Sequence, residues 1–248
     1  MSCLHGRILA FLKLWRATSA RKFASFRGSD VLRPGGVLFI ALEGQDEVDI
    51  RLQAQINERG GGKPDRMPFV WTEDCPPLLA KNAVDELAKR AAHVAAEMRK
   101  NWDMPLALIV IDTMVVAAGY TKEGSDNDTS TTSMTMGVLA KLARRARCFC
   151  FGIDHFGKNP EVGTRGNSAK EGNADVILAL LANKAITGEV SQMQLAVRKR
   201  RGAACGLVFP FTTRVVDMGV NERGKKQTTL FLDWGTAALC GSTSAGCG

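Results

Sequence analysis

The 248-residue chain has no CxxC pair and only three histidines, so its seven cysteines do not spell out a zinc site. They are scattered, at Cys3, Cys75, Cys148, Cys150, Cys205, Cys240 and Cys247, and their odd number does not suit a disulfide framework. Free or buried thiols in a reducing cytosol are the expectation. Long apolar runs are also missing. The best candidate, ILAFLKLW near the N-terminus, is broken by Lys13 and followed by Arg16, which is too short to span a bilayer. No small-residue cleavage site marks a secretory signal. The basic, serine-containing start shares the composition of an organellar transit peptide, but its spacing has a better explanation as a helix. No GxGxxG opens a helix after a strand, which sets a Rossmann-type oxidoreductase aside.

What is present is an ordinary globular composition, 45% hydrophobic and 23% charged. The net charge of +8 and pI near 9.3 permit contact with a polyanion such as nucleic acid without requiring it. Apolar side chains at near-helical spacing predict a helix over Ile8 to Phe26. The turn RPGG then leads into VLFIAL, a short run that reads as a buried strand. Asp46 to Asn57 reads as a helix, Glu58 to Asp65 as a loop, and MPFVW as a strand. A long helix is expected over Ala80 to Asn101, burying Val84, Leu87, Ala91, Val94 and Met98. LALIVID is a third strand, Gly119 to Ser133 a polar mobile loop, Met134 to Arg147 a helix, and CFCFGID a fourth strand.

Strands alternate with helices throughout this half, which predicts an α/β fold with a parallel sheet between helices. After Gly172 the rhythm changes to DVILALLA, QMQLAVRKR, LVFPFTTRVV and TTLFLDW, which read as antiparallel hairpins. Without a repeat or a linker, residues 1–234 are expected to form one domain, and residues 235–248 a disordered tail.

Ligands of an open parallel sheet sit beyond the carboxyl ends of its strands. Here VLFIAL leads to Glu43, LALIVI to Asp112, and CFCFGI to Asp154 and His155. One carboxylate to hold Mg²⁺, a second to activate water and a polar sensor near a γ-phosphate would make a nucleoside-triphosphatase site.

The ordered set VLFIALEG, LALIVIDT, FGIDHFGK, TRGNSA and AVRKRRGA resembles the RecA-like AAA-family ATPases of the RepA type. These are hexameric helicases and related ATPases common in plasmids, phages and other mobile elements. The resemblance spans roughly Arg21 to Trp234 and implies a RecA-like three-layer fold, ATP and Mg²⁺ as cofactors, single-stranded DNA as a partner in replication, a homo-hexameric ring and a cytoplasmic location. By it, Asp112 is the Walker B aspartate that helps hold Mg²⁺, followed by Thr113. Glu43 is the glutamate that orients the hydrolytic water. His155 is the γ-phosphate sensor and Lys158 the lysine of the same motif, with Asp154 standing where the family has a first histidine. Arg165 resembles the arginine finger that reaches a neighbouring subunit's nucleotide. Lys199 and Arg200 resemble the basic pair near that interface. Without the resemblance, Arg198 to Arg201 read as a basic hairpin turn, or as a contact to DNA phosphates. The loop from Gly119 to Ser133 reads as a DNA-facing loop of the ring channel or as a surface loop.

One part of this set is missing. No GxxxxGK[ST] phosphate-binding loop occurs in the sequence. GGGKPD at Gly60 to Asp65 has a Gly-Lys pair, but proline follows and no strand leads into a helix there. By the resemblance the loop belongs at or before residues 1–7, where Gly6 and Arg7 stand, with the first strand upstream of it. The chain is therefore expected to be either a truncated form of a true ATPase or a diverged relative, impaired in ATP binding. The alternative function is a non-catalytic scaffold that binds DNA or a protein partner through basic hairpins.

Overall fold

The structure is a computed structural model that describes residues 25–26, 29–30, 34–60, 67–119, 128–155 and 169–234. The helix expected over Ile8 to Phe26 lies outside these residues except at its end. There Ser25–Phe26 (β1) is a short strand paired with Ser29–Asp30 (β2), not helix. The tail expected over residues 235–248 is likewise outside them.

A four-stranded parallel sheet carries the first half. Its strands are β3 (Gly36–Ala41), β4 (Phe69–Thr72), β5 (Leu106–Asp112) and β6 (Phe149–Ile153), in the order β4-β3-β5-β6. Because side chains alternate across a strand, β3 splits its apolar run between two layers. Leu38 and Ile40 join Ile109 and Ile111 under α2 (Ala83–Trp102) and α4 (Thr129–Ala146). Val37, Phe39 and Ala41 join Val110 and Ile153 on the other face with Val48 and Leu52 of α1 (Val48–Gly60). Burial on both faces explains why β3 reads as a continuous apolar run rather than an alternating one.

Several boundaries differ from the sequence reading. Helix α2 starts at Ala83, so Ala83 takes the buried place expected of Val84. Glu58 to Gly60 extend α1 instead of opening a loop. Thr129 to Ser133 belong to α4, not to the polar loop. The Asp128 carboxylate accepts the Thr131 amide proton at 2.6 Å and caps the helix, and the Thr131 hydroxyl and amide hold that carboxyl below its ordinary value. The Ser/Thr-rich start hid this turn because it has no apolar period. A five-residue helix, α3 (Met114–Ala118), follows β5. Gly137 lies inside α4 with open space where a Cβ would be. Gly137→Ala should raise stability by about 0.5–1 kcal/mol, read as a higher urea midpoint, since alanine loses less backbone entropy in a helix.

After α5 (Ala169–Asn173) the chain becomes antiparallel, as expected. One sheet has the order β7 (Val176–Lys184), β8 (Val190–Arg200), β9 (Val208–Pro210); the other is the hairpin of β10 (Thr212–Val220) and β11 (Lys226–Asp233). The run LVFPFTTRVV is not one strand. It breaks at Phe211, after a proline that cannot donate to a ladder, and passes from one sheet to the other. The two sheets share a small core of Leu195, Phe211, Leu232 and Trp234, with the Phe211 and Trp234 rings edge to face at 5.3 Å. Glu58 of α1 and Arg214 of β10 form an ion pair between the halves.

Candidate functional site

The sheet register brings the predicted acids together. Ala41 on β3 and Ile153 on β6 are both Cα partners of Asp112 at the end of β5. The chain leaving β3 then folds over that end. The Asp112 carbonyl accepts the amide protons of Leu42 at 2.6 Å and Glu43 at 3.2 Å. Gly44 follows with φ 70°, a left-handed turn that glycine adopts without a Cβ clash. Glu43 is thereby pinned above the strand ends. Its Oε1 accepts the Thr113 hydroxyl at 2.9 Å, and its Oε2 lies 3.7 Å from His155 Nε2. Thr113 is buried, while Glu43 and His155 keep 29% side-chain exposure, so this group opens to solvent on one side. The peptide between Asp112 and Thr113 is cis.

Asp112 itself is sealed from solvent. Arg51 of α1, also buried, feels its charge. Burial lowers the Arg51 guanidinium from its ordinary value, and the Asp112 carboxylate partly opposes that by favouring the charged form. Arg51 also forms an ion pair with Glu47 one turn earlier. On the other side of the rim, the Asp154 carboxylate accepts the His155 amide proton at 2.8 Å and meets Lys170 Nζ at 2.6 Å. Both partners of that ion pair are about nine-tenths buried.

The strands are neighbours, so Glu43, Asp112, Thr113 and His155 stand at adjacent strand ends, the condition under which the sequence reading put the acids and His155 on one rim. Lys158 and Arg165 lie outside the described residues. Lys199 is committed elsewhere: its ammonium donates to the carbonyls of Glu171 at 2.7 Å and Gly172 at 3.0 Å, near the end of α5. Arg200 is exposed at the end of β8. Sequence reasoning missed Arg51 and Lys170. The Glu47–Arg51 spacing of four on a helix was a usable signal; nothing local links Lys170 to Asp154.

Thr113, beside Asp112 in the chain, shares a hydrogen bond with Glu43, and all three carry oxygen donors of the kind Mg²⁺ takes. Among the described residues no three His, Cys, Asp or Glu side chains form a metal cage. Bound at such a site, Mg²⁺ would neutralise phosphate charge. On this rim the chain presents one sealed carboxylate, Asp112, and a second, Glu43, that accepts the Thr113 hydroxyl and keeps 29% side-chain exposure.

A protein-family model described as an AAA domain matches residues 12–161, which contain the whole rim except Lys170. The chain belongs to the AAA domain family. As an AAA-family ATPase domain it is of a kind that binds ATP and Mg²⁺ in general. No curated protein matches it. Among the described residues no helix of this AAA chain is long and apolar enough to cross a membrane.

Proposed function

We propose that this chain is an AAA ATPase of the RepA type, a cytoplasmic ring-forming protein acting on single-stranded DNA, whose own nucleotide binding is weak. The observation that carries the reading is the Thr113–Glu43–His155 group beside sealed Asp112 on three adjacent strand ends. In it Asp112 is the Mg²⁺ carboxylate, Glu43 aligns the attacking water and His155 senses the γ-phosphate. Lys158 belongs to the same sensor motif as His155, while Arg165, with Arg200 at the edge of the β-rich part, serves a neighbouring subunit's nucleotide in a ring. Lys199 fits that role less well, because two carbonyls of its own chain hold its ammonium. Residues 1–234 are read as one domain, with residues 235–248 as a tail.

The weakness is our reading of the phosphate-binding pattern. A phosphate loop supplies backbone amides and a lysine to the β- and γ-phosphates, and no GxxxxGK[ST] is present. That same observation favours a second reading, a non-catalytic scaffold that binds DNA. The charge distribution supports contact with DNA at the two ends of the chain. Residues 1–33 hold seven Lys/Arg against one acid and residues 169–234 hold ten against six, whereas residues 34–168 are slightly acidic. Phosphate-release assays with Mg-ATP and single-stranded DNA are expected to stay at background. Mg²⁺-dependent turnover that Asp112→Ala abolishes would overturn the claim of weak binding. DNA affinity indifferent to ATP and to Glu43→Gln would favour the scaffold; loss of both DNA binding and self-association would remove both readings.

A further inference from the structure

Cys148 and Cys150 enclose Phe149 at the start of β6, away from the rim. Residues two apart in an extended chain share a face. Phe149 points outward and is 73% exposed, whereas both thiols turn toward the apolar layer that includes Leu139 and Leu142 of α4. Each is only half-buried, and β6 is the last strand of its sheet among the described residues, so the pair lies at a sheet margin within reach of solvent. Interaction with the Cys148 side chain, with burial second, pushes the Cys150 thiol far above its ordinary range. Cys148 follows Arg147, which has φ 52°, and stands just ahead of the first strand residue, so the chain there is not bound into the sheet ladder.

We propose that Cys148 and Cys150 form a two-sulfur chelating site for a soft, thiophilic ion or trivalent metalloid. Zinc wants four ligands, and among the described residues no third metal-binding side chain joins the pair. Soft thiolate donors select soft acceptors, some of which are satisfied by two sulfurs. Protonated thiols are slow nucleophiles toward reagents that make one bond. A reagent that makes two bonds gains from the second, intramolecular one, and this separates chelation here from ordinary thiol reactivity. Neither Cys75, whose thiol burial raises to about 11, nor exposed Cys205 has a described cysteine neighbour in sequence.

Phenylarsine oxide is the probe. Two S–H protons leave with its oxygen as water while two As–S bonds form, with no change of oxidation state. The folded full-length chain is labelled in excess glutathione, remaining thiols are blocked, and trypsin is added. Cleavage after Arg147 and Lys158 releases residues 148–158, which contain both cysteines and no other. One phenylarsenic per chain is expected on that peptide, stable to glutathione and removed by 2,3-dimercaptopropanol. Cys148→Ser and Cys150→Ser should each weaken binding at least about a hundredfold, with thermal unfolding as in the parent showing that the fold survives. An adduct on other cysteines, stripping by glutathione, or undiminished binding in either variant would overturn the site.

Discussion

Lys170→Met will lower the unfolding free energy by about 3 kcal/mol, and Asp154→Asn added to it will restore most of the loss. Lys170 Nζ and Asp154 Oδ2 meet at 2.6 Å with both side chains about nine-tenths buried. Removing one partner of a buried pair leaves the other charge desolvated and uncompensated, which typically costs about 3–5 kcal/mol. Neutralising both relieves that penalty, and asparagine keeps an oxygen to accept the His155 amide proton. The coupling should appear as strong non-additivity in a double-mutant cycle of urea unfolding curves with unchanged slope. If Lys170→Met costs less than about 1 kcal/mol, the pair is hydrated like a surface ion pair and does not anchor α5 to the rim.

Gly35→Val will destabilise by about 3 kcal/mol, at the upper end of what overpacking costs. A Cβ at position 35 would stand 2.6 Å from the Pro105 carbonyl oxygen and 2.6 Å from the Ala107 Cβ. A backbone oxygen cannot turn aside as a side chain can. The entry of β3 would have to move away from β5, where the Gly36 amide donates to that same Pro105 carbonyl at 2.8 Å. Gly36 differs in kind: its crowding is against the Met98 side chain, which has rotamers to yield. Gly36→Ala should therefore be milder than Gly35→Val in the same chemical denaturation series. Equal losses would show that β3 shifts as a unit.

The central sheet was legible because its strands are apolar and end abruptly in polar residues. Glu43, Asp112 and His155 could each be marked from one strand end alone. Their mutual contacts could not, because they depend on β3 and β5 being neighbours although β4 lies between them in sequence. The pairing of Asp154 with Lys170 was hidden for the same reason, being fixed by where α5 packs rather than by spacing. The start of α4 was lost because a threonine-rich turn has no period, and its only local signal was Asp128 as a cap. In the β-rich part, strand content was readable but the switch at Phe211 was not. It follows from Pro210 lacking a donor together with an aromatic ring that finds Trp234 in the other sheet. Lys199 drew attention as part of a basic run, yet the fold uses its ammonium on the carbonyls of Glu171 and Gly172, a local use that no charge pattern announces.

The Asp112 carbonyl that accepts both the Leu42 and Glu43 amides has a mechanical consequence. Two acids from separate strands, 69 positions apart in the chain, are tied through a single oxygen atom. A tilt of the Asp112 peptide shifts the Glu43 backbone with it, so the two strand ends move together while each carboxylate keeps its own side-chain rotations.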